Sequence, residues 1–490
     1  MTRPEDTEPE IDLDPQNWDA FADVAHQAVD DVVQQLAGLR DRPPWQPVSE
    51  PVAADLDEPL PEDGRPLEDV YEQARRSILP YPTGNVHPRF WGWVMGNGTA
   101  EGALADFIAS GMNSHLAGYD QSAVLIERKV LAWLAEMMGY PESAGGILVS
   151  GGTVANFNGI AVARKAKATW DLREDGLYGG PRMRYYGSDE THGWAERAAD
   201  WLGLGRGGFV RIPSDAEHRL DLDTLKTRIE TDREAGELPF CVVGNAGTVN
   251  AGAIDDLDAL ADLCRDENLW FHVDGAFGAL AALSPKLRPL LKGMERSDSL
   301  AFDLHKWGYL QYEIGCTLVR SRDLQQGTFA SSASYLKAPG RGIQPTALEF
   351  SEMGLQLSRG FRALKAWMAF KHHGVRKIGR VIEQNVEQAR YLKTRVEAEP
   401  GLEVTAPVPL NVVCFRACPQ GLTEAELDEL NREILIRLQE DGVAIPSSTL
   451  CDGRFALRVA ITNHRSKRED FDLLVDSVLD LCREISATNR

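Results

Sequence analysis

Between about residues 140 and 320, short runs of β-branched and aromatic residues alternate with stretches whose apolar positions recur every three or four residues. Seven runs read as strands: 146–150, 184–186, 208–210, 240–243, 269–274, 299–303 and 316–319. Strands alternating with helical patterns predict an α/β domain around a mostly parallel sheet, with its ligand site at the carboxyl ends of the strands. Upstream, Trp18, Phe21, Val24, Ala28, Val32 and Leu36 give residues 15–39 one apolar helical stripe, which the proline-rich stretch 43–61 ends. No core of its own accompanies that helix, so its stripe is expected to pack on the main body or on a partner subunit. The charged residues 1–14 are expected to be disordered. Downstream, 327–348 has little periodicity and many small residues, the pattern of a long functional loop. Helices near 354–370, 376–397, 423–440 and 467–484, with strands near 410–416 and 455–461, predict a smaller α+β domain. The expected division is an amino-terminal segment 1–86, a large domain 87–350 and a carboxyl-terminal part 351–490.

Composition narrows the function. A chain of 490 residues with 43% apolar content has enough material for more than one core. No apolar run reaches the ~20 residues of a membrane-spanning helix, and the start of the chain is acidic where a secretion signal is basic, so a soluble cytoplasmic protein is expected. A net charge of −22 disfavours nucleic acid and anionic membrane as partners. The seven cysteines lack the histidines and spacing of a zinc site, so no metal is expected.

The candidate chemistry sits just past the apolar strands. Asp274 ends one of them and is followed by the small Gly275 and Ala276. A carboxylate there can keep a pyridine nitrogen protonated, although strand-terminal acids also serve as helix caps or metal ligands. Asp303-Leu304-His305-Lys306-Trp307 follows another strand; near a cationic cofactor in a low-dielectric pocket, the Lys306 amine loses its proton readily and can form an imine. Gly151-Gly152-Thr153 turns a strand into a helix, whose first N–H groups suit a phosphate, with His305 as a further donor. His192 opens another helix, where an imidazole can stack on a pyridine ring.

These residues stand in an order and spacing that resemble a known family. The anchors are His87-Pro88-Arg89-Phe90-Trp91-Gly92, Gly151-Gly152-Thr153-Val154-Ala155-Asn156, His192, the run Asn245-Ala246-Gly247-Thr248-Val249-Asn250, His272-Val273-Asp274, His305-Lys306-Trp307 and Phe361-Arg362-Ala363-Leu364-Lys365-Ala366-Trp367. Over about residues 15–485 the chain resembles the group II pyridoxal-phosphate amino-acid decarboxylases. That resemblance implies fold type I, with a seven-stranded mostly parallel sheet, and a homodimer with its active site at the interface. It implies pyridoxal 5′-phosphate as cofactor, Lys306 as the Schiff-base lysine, Asp274 as partner of the ring nitrogen, His192 stacked on the ring and Ala276 beneath it. Gly152, Thr153, Ser299 and His305 are expected around the phosphate. Tyr335, in the unpatterned loop, matches the tyrosine that protonates the substrate carbon after carbon dioxide leaves. Phenylalanine there accompanies aldehyde formation, so Tyr335 favours release of the amine.

Trp93, Val94 and Met95 fall where relatives shape the side-chain pocket, and their bulk points to an aromatic or apolar substrate. Gly360 and Gln311 depart from the commoner pattern, which bears on substrate geometry. Two rival activities remain at this stage: oxygen-dependent decarboxylation to an aldehyde, and transamination, for which Arg458 would bind a substrate carboxylate.

Overall fold

The computed structural model describes residues 11–330, 340–344 and 349–488, and internal contacts divide the chain into two units, one ending at Gly84 and one spanning Asn85–Arg490. Among the described residues, the first unit holds three α-helices. In α1 (Trp18–Ala37) the Asn17 side chain accepts the N–H groups of Asp19 and Ala20, and this cap sets the start. Within the proline-rich stretch lies α2 (Glu50–Leu56), with Pro51 in its first turn, where a missing N–H leaves no helical bond unmade. It is followed by α3 (Leu67–Ser77). No residue of α1 is buried, and Trp18, Phe21 and Val33 are exposed.

The second unit begins with α4 (Ala100–Met112) and α5 (Ser122–Met138), then alternates: β1 (Gly145–Val149), α6 (Gly152–Lys167), α7 (Leu172–Asp175), β2 (Met183–Ser188), α8 (Trp194–Trp201), β3 (Phe209–Ile212), α9 (Leu222–Glu234), β4 (Leu238–Asn245), α10 (Leu257–Asp266), β5 (Trp270–Asp274), β6 (Ser299–Asp303), β7 (Gly315–Val319) and α11 (Arg322–Phe329). The strands form one sheet in the order β1-β7-β6-β5-β4-β2-β3, in which only β7 runs against its neighbours. Each predicted run therefore coincides with a strand, with Ser150, Gly208 and Leu269 falling one residue outside, and six carboxyl ends meet at one edge. Along β4 the side chains alternate between two cores, with Val242 beside Leu225 and Leu260, and Cys241 and Val243 beside Ile160 and Trp194. Burial on both faces explains why the central run Phe240–Val243 of β4 is apolar without a break.

The carboxyl-terminal part carries α12 (Ala363–His373), α13 (Val375–Glu397), β8 (Leu402–Val404), β9 (Val412–Ala417), α14 (Glu424–Glu440), β10 (Ser447–Cys451), β11 (Arg454–Ala460) and α15 (Arg468–Thr488). Its antiparallel sheet, β10-β11-β9-β8, buries Phe415, Leu457 and Val459 against Leu392, Ile434 and Phe471.

Two boundaries differ from the sequence expectation. The helix expected over 354–370 begins only at Ala363. Before it, Arg359 is buried, donates to the carbonyls of Leu116 and Leu148 and pairs with the buried Glu127, and these bonds hold the segment out of the helix. The loop expected from 327 begins later, because Ser321 caps α11 by accepting the Leu324 N–H and the helix runs to Phe329. Tyr335 lies outside the described residues.

Candidate active site

A cavity of about 820 Å³ opens at the carboxyl ends of β1, β4, β5 and β6. Lys306, His192, Asp274, Ala276, His305, Gly152, Thr153, Trp93 and Val94 all line it. Lys306 is presented by the turn after β6, where the N–H groups of Leu304 and His305 both donate to the Ile314 carbonyl. Its Nζ lies 3.0 Å from Asp303 Oδ2. Burial alone would lower the pKa of this amine, but the Asp303 carboxylate outweighs it and holds the value above the ordinary 10.5.

Asp274, at the end of β5, is 6% exposed. The Trp194 indole N–H donates to its Oδ2 at 2.5 Å and the Ala276 N–H to its Oδ1 at 3.0 Å. Its carboxylate is thus oriented from behind while still lining the cavity. Trp194 also fixes His192, since its backbone N–H donates to His192 Nδ1 at 3.2 Å. A backbone N–H can only donate, so Nδ1 is bare and the proton of the neutral ring sits on Nε2. His192 is open to the cavity, yet the surrounding wall removes enough solvent to push its pKa below the ordinary 6.5, Asp274 opposing the shift and Lys306 adding to it.

The glycine turn is held by a chain of buried side chains. The Trp270 indole donates to Ser299 Oγ, which lies 2.7 Å from His272 Nδ1. His272 Nε2 meets Asn156 Oδ1 at 2.7 Å, and the Asn156 amide donates to the Gly152 carbonyl at 2.9 Å. Burial pushes the His272 pKa down to about 4, so the ring is neutral and gives one proton while accepting another. This network corrects the expectation for Ser299. It is the first residue of β6, at the opposite end from Asp303 and about 13 Å away at ~3.3 Å per residue. It does not line the cavity, and its hydroxyl supports the turn only through His272 and Asn156.

Three contributors were not singled out from the sequence. Trp194 orients both Asp274 and His192. Asp303 is the ion partner of Lys306 and lies 3.7 Å from His305 Nε2. Tyr312 packs at a tilt against His305 with ring centroids 4.5 Å apart. His305 Nδ1 accepts the Ile314 N–H, which leaves Nε2 as its donor, and burial pushes its pKa down. The segment carrying Trp93–Met95 also approaches this turn closely: a Cβ on Gly96 would sit 1.5 Å from the His305 carbonyl oxygen, so only glycine fits.

Arg458 does not serve as the carboxylate anchor considered from sequence. It is 3% exposed, and its guanidinium donates to the carbonyls of Trp93, Val249 and Asn250 and to Ser447 Oγ. Gln311 bonds the Thr99 carbonyl ahead of α4, and Gly360 faces open space.

The model of the pyridoxal-dependent decarboxylase conserved domain matches residues 50–418. The chain belongs to that family. An aromatic-L-amino-acid decarboxylase of Bacillus atrophaeus is 34% identical over 473 residues, spanning 94% of this chain and 95% of that protein. The crystal structure of Oryza sativa TDC with PLP and tryptamine superposes with a TM-score of 0.88 at 27% identity, over 97% of this chain and all of that one. A phenylacetaldehyde synthase of Arabidopsis thaliana is 25% identical, over 92% of this chain and 93% of that protein. This decarboxylase therefore uses pyridoxal phosphate and has the fold type I architecture.

The cavity's own donors fit that cofactor. Gly151 supplies no side-chain cap to α6, so the first-turn N–H groups are open to a phosphate. A Cβ on Gly152 would fill the space 2.9 Å from Asp303 Oδ2 and 3.4 Å from Ala276 Cβ. The Asp274 carboxylate would suit a protonated ring nitrogen, and the Lys306 amine would suit an aldehyde carbon.

Proposed function

We propose that this decarboxylase acts on an aromatic L-amino acid, releasing carbon dioxide and the arylalkylamine. The observation that carries it is one cavity in which Lys306, Asp274 and His192 stand beside an aromatic and apolar wall of Trp93, Val94, Val249 and Phe277. The similarity to an aromatic-L-amino-acid decarboxylase supports the same reading.

When bound, pyridoxal phosphate supplies the electron sink for the pair left behind as carbon dioxide departs. Lys306 would anchor the cofactor covalently, and Asp274, oriented by Trp194, would pair with the ring nitrogen. The open N–H groups of Gly152 and Thr153, with His305 Nε2, would hold the phosphate. His192, neutral and carrying its proton on Nε2, orients the substrate carboxylate and shields it from water. Tyr335 returns a proton to the α-carbon, which makes the amine the product. We also infer a cytoplasmic homodimer. The exposed Trp18, Phe21 and Val33 of α1 suit a partner subunit, and the seven unpaired cysteines suit a reducing compartment. Among the described residues, no helix is long and apolar enough to cross a membrane.

The test is a panel of amino acids assayed for carbon dioxide, amine and hydrogen peroxide together. Carbon dioxide and amine in equal amounts from tryptophan, tyrosine or phenylalanine are expected, without peroxide. Stoichiometric peroxide with aldehyde would assign the oxidative reaction instead, and turnover confined to acidic amino acids would overturn the substrate class.

A further inference from the structure

Arg458 is a buried cation whose acceptors are almost all backbone. From β11, Nε donates to the Asn250 carbonyl at 3.0 Å, Nη1 to the Trp93 carbonyl at 2.8 Å and to Ser447 Oγ at 3.3 Å, and Nη2 to the Val249 carbonyl. Among the described residues no carboxylate pairs with it. A guanidinium is taken out of water at a high cost unless its donors are engaged, so this arrangement is tolerated only because the fork is almost fully used.

Two of the acceptors decide what that fork does. Trp93 and Val249 both line the cavity and come from segments far apart in sequence, yet their carbonyls are bonded to one rigid plane. Trp93 also has a left-handed backbone, φ 53°, a conformation that a bulky residue keeps only where its surroundings impose it. The surroundings that impose it come from β11 and the residues after it: the Ala460 N–H donates to the Trp91 carbonyl at 3.0 Å, and the Thr462 hydroxyl to the Met95 carbonyl at 3.0 Å.

The geometry points to Arg458 as a positioning residue for substrate selectivity, one that fixes the spacing of the Trp93 and Val249 walls and so sets which side chains the cavity accepts. This rests on the cavity receiving an amino acid. Lysine keeps the charge but has neither the plane nor the fork, and cannot hold several carbonyls in one geometry.

The experiment compares the parent holoenzyme with Arg458→Lys for binding of α-methyl amino acids with aromatic, branched and acidic side chains, read as a shift in cofactor absorbance, alongside kcat and KM for the matching substrates. Cofactor content and borohydride-trapped lysine are expected to match the parent. The preferred side chain should lose about ten- to a hundred-fold in affinity, in KM more than kcat, and the ratio of preferred to non-preferred should flatten toward one. An equal loss for every side chain, with the ratio intact, overturns the proposal. Should the lysine variant not accumulate as folded holoenzyme, Thr462→Val, which removes only the hydroxyl bond to Met95, must flatten the ratio in the same direction; an unchanged ratio there also overturns it. A parent that prefers acidic side chains would refute the aromatic substrate class, while flattening of that preference in Arg458→Lys would still support the positioning role.

Discussion

Asp303 Oδ2 and Lys306 Nζ are 3.0 Å apart across the turn that follows β6, and the carboxylate is 1% exposed. The pair holds the amine as an ammonium at neutral pH, although only the free amine can attack an aldehyde carbon.

Removing the carboxylate should unmask the amine. In Asp303→Asn the burial that lowers the Lys306 pKa is no longer outweighed, so the pKa falls. Cofactor-free protein should then capture pyridoxal phosphate faster at pH 7–8, and the inflection of capture rate against pH should move down. An unchanged or higher inflection would contradict the pairing. The stability effect has the opposite sign: because the folded pKa is raised, the contribution of the pair is complete below the ordinary 10.5 and is lost as pH rises through the folded value.

Ser299 should matter to stability before it matters to cofactor. Ser299→Ala leaves the buried Trp270 indole N–H and His272 Nδ1 each without a partner, while His272 Nε2 keeps Asn156, at a cost of about 1–3 kcal/mol. Thermal unfolding of cofactor-free Ser299→Ala should fall accordingly, with cofactor retention weakened as the glycine turn loosens. A direct phosphate contact would instead leave the cofactor-free melting temperature unchanged and lower only cofactor affinity.

The buried ion pair beneath β1 makes a separate prediction. Glu127 and Arg359 are both 0% exposed, and burial pushes the Glu127 pKa up despite its partner. Arg359→Met strands that carboxylate and should cost about 3–5 kcal/mol in unfolding free energy. Glu127→Gln in the same chain should recover part of the loss, and strictly additive losses would show that the two do not interact.

The sheet and most of the cavity were legible because both leave side-chain signatures. A strand such as β1, buried at every residue, is apolar throughout, and the residues at or just past the ends of β1, β5 and β6 are the ones whose chemistry stands out. Leu357, Phe361 and Leu364 recur at helical spacing on both sides of the true boundary, so the late start of α12, set by the tertiary bonds of Arg359, leaves no mark in the sequence. Ser299 was misplaced because it shares a strand with Asp303 but begins it. The role of Arg458 left no sequence trace, since three of its acceptors are carbonyls of Trp93, Val249 and Asn250, which any residue carries.

Borohydride reduction of the cofactor-loaded protein, followed by peptide mapping, bears on the site more directly than any variant. One modified peptide is expected, carrying the reduced cofactor on Lys306 with the loss of its absorbance band; modification of any other lysine, or none at all, would contradict the site described around Asp274 and the Gly152 turn.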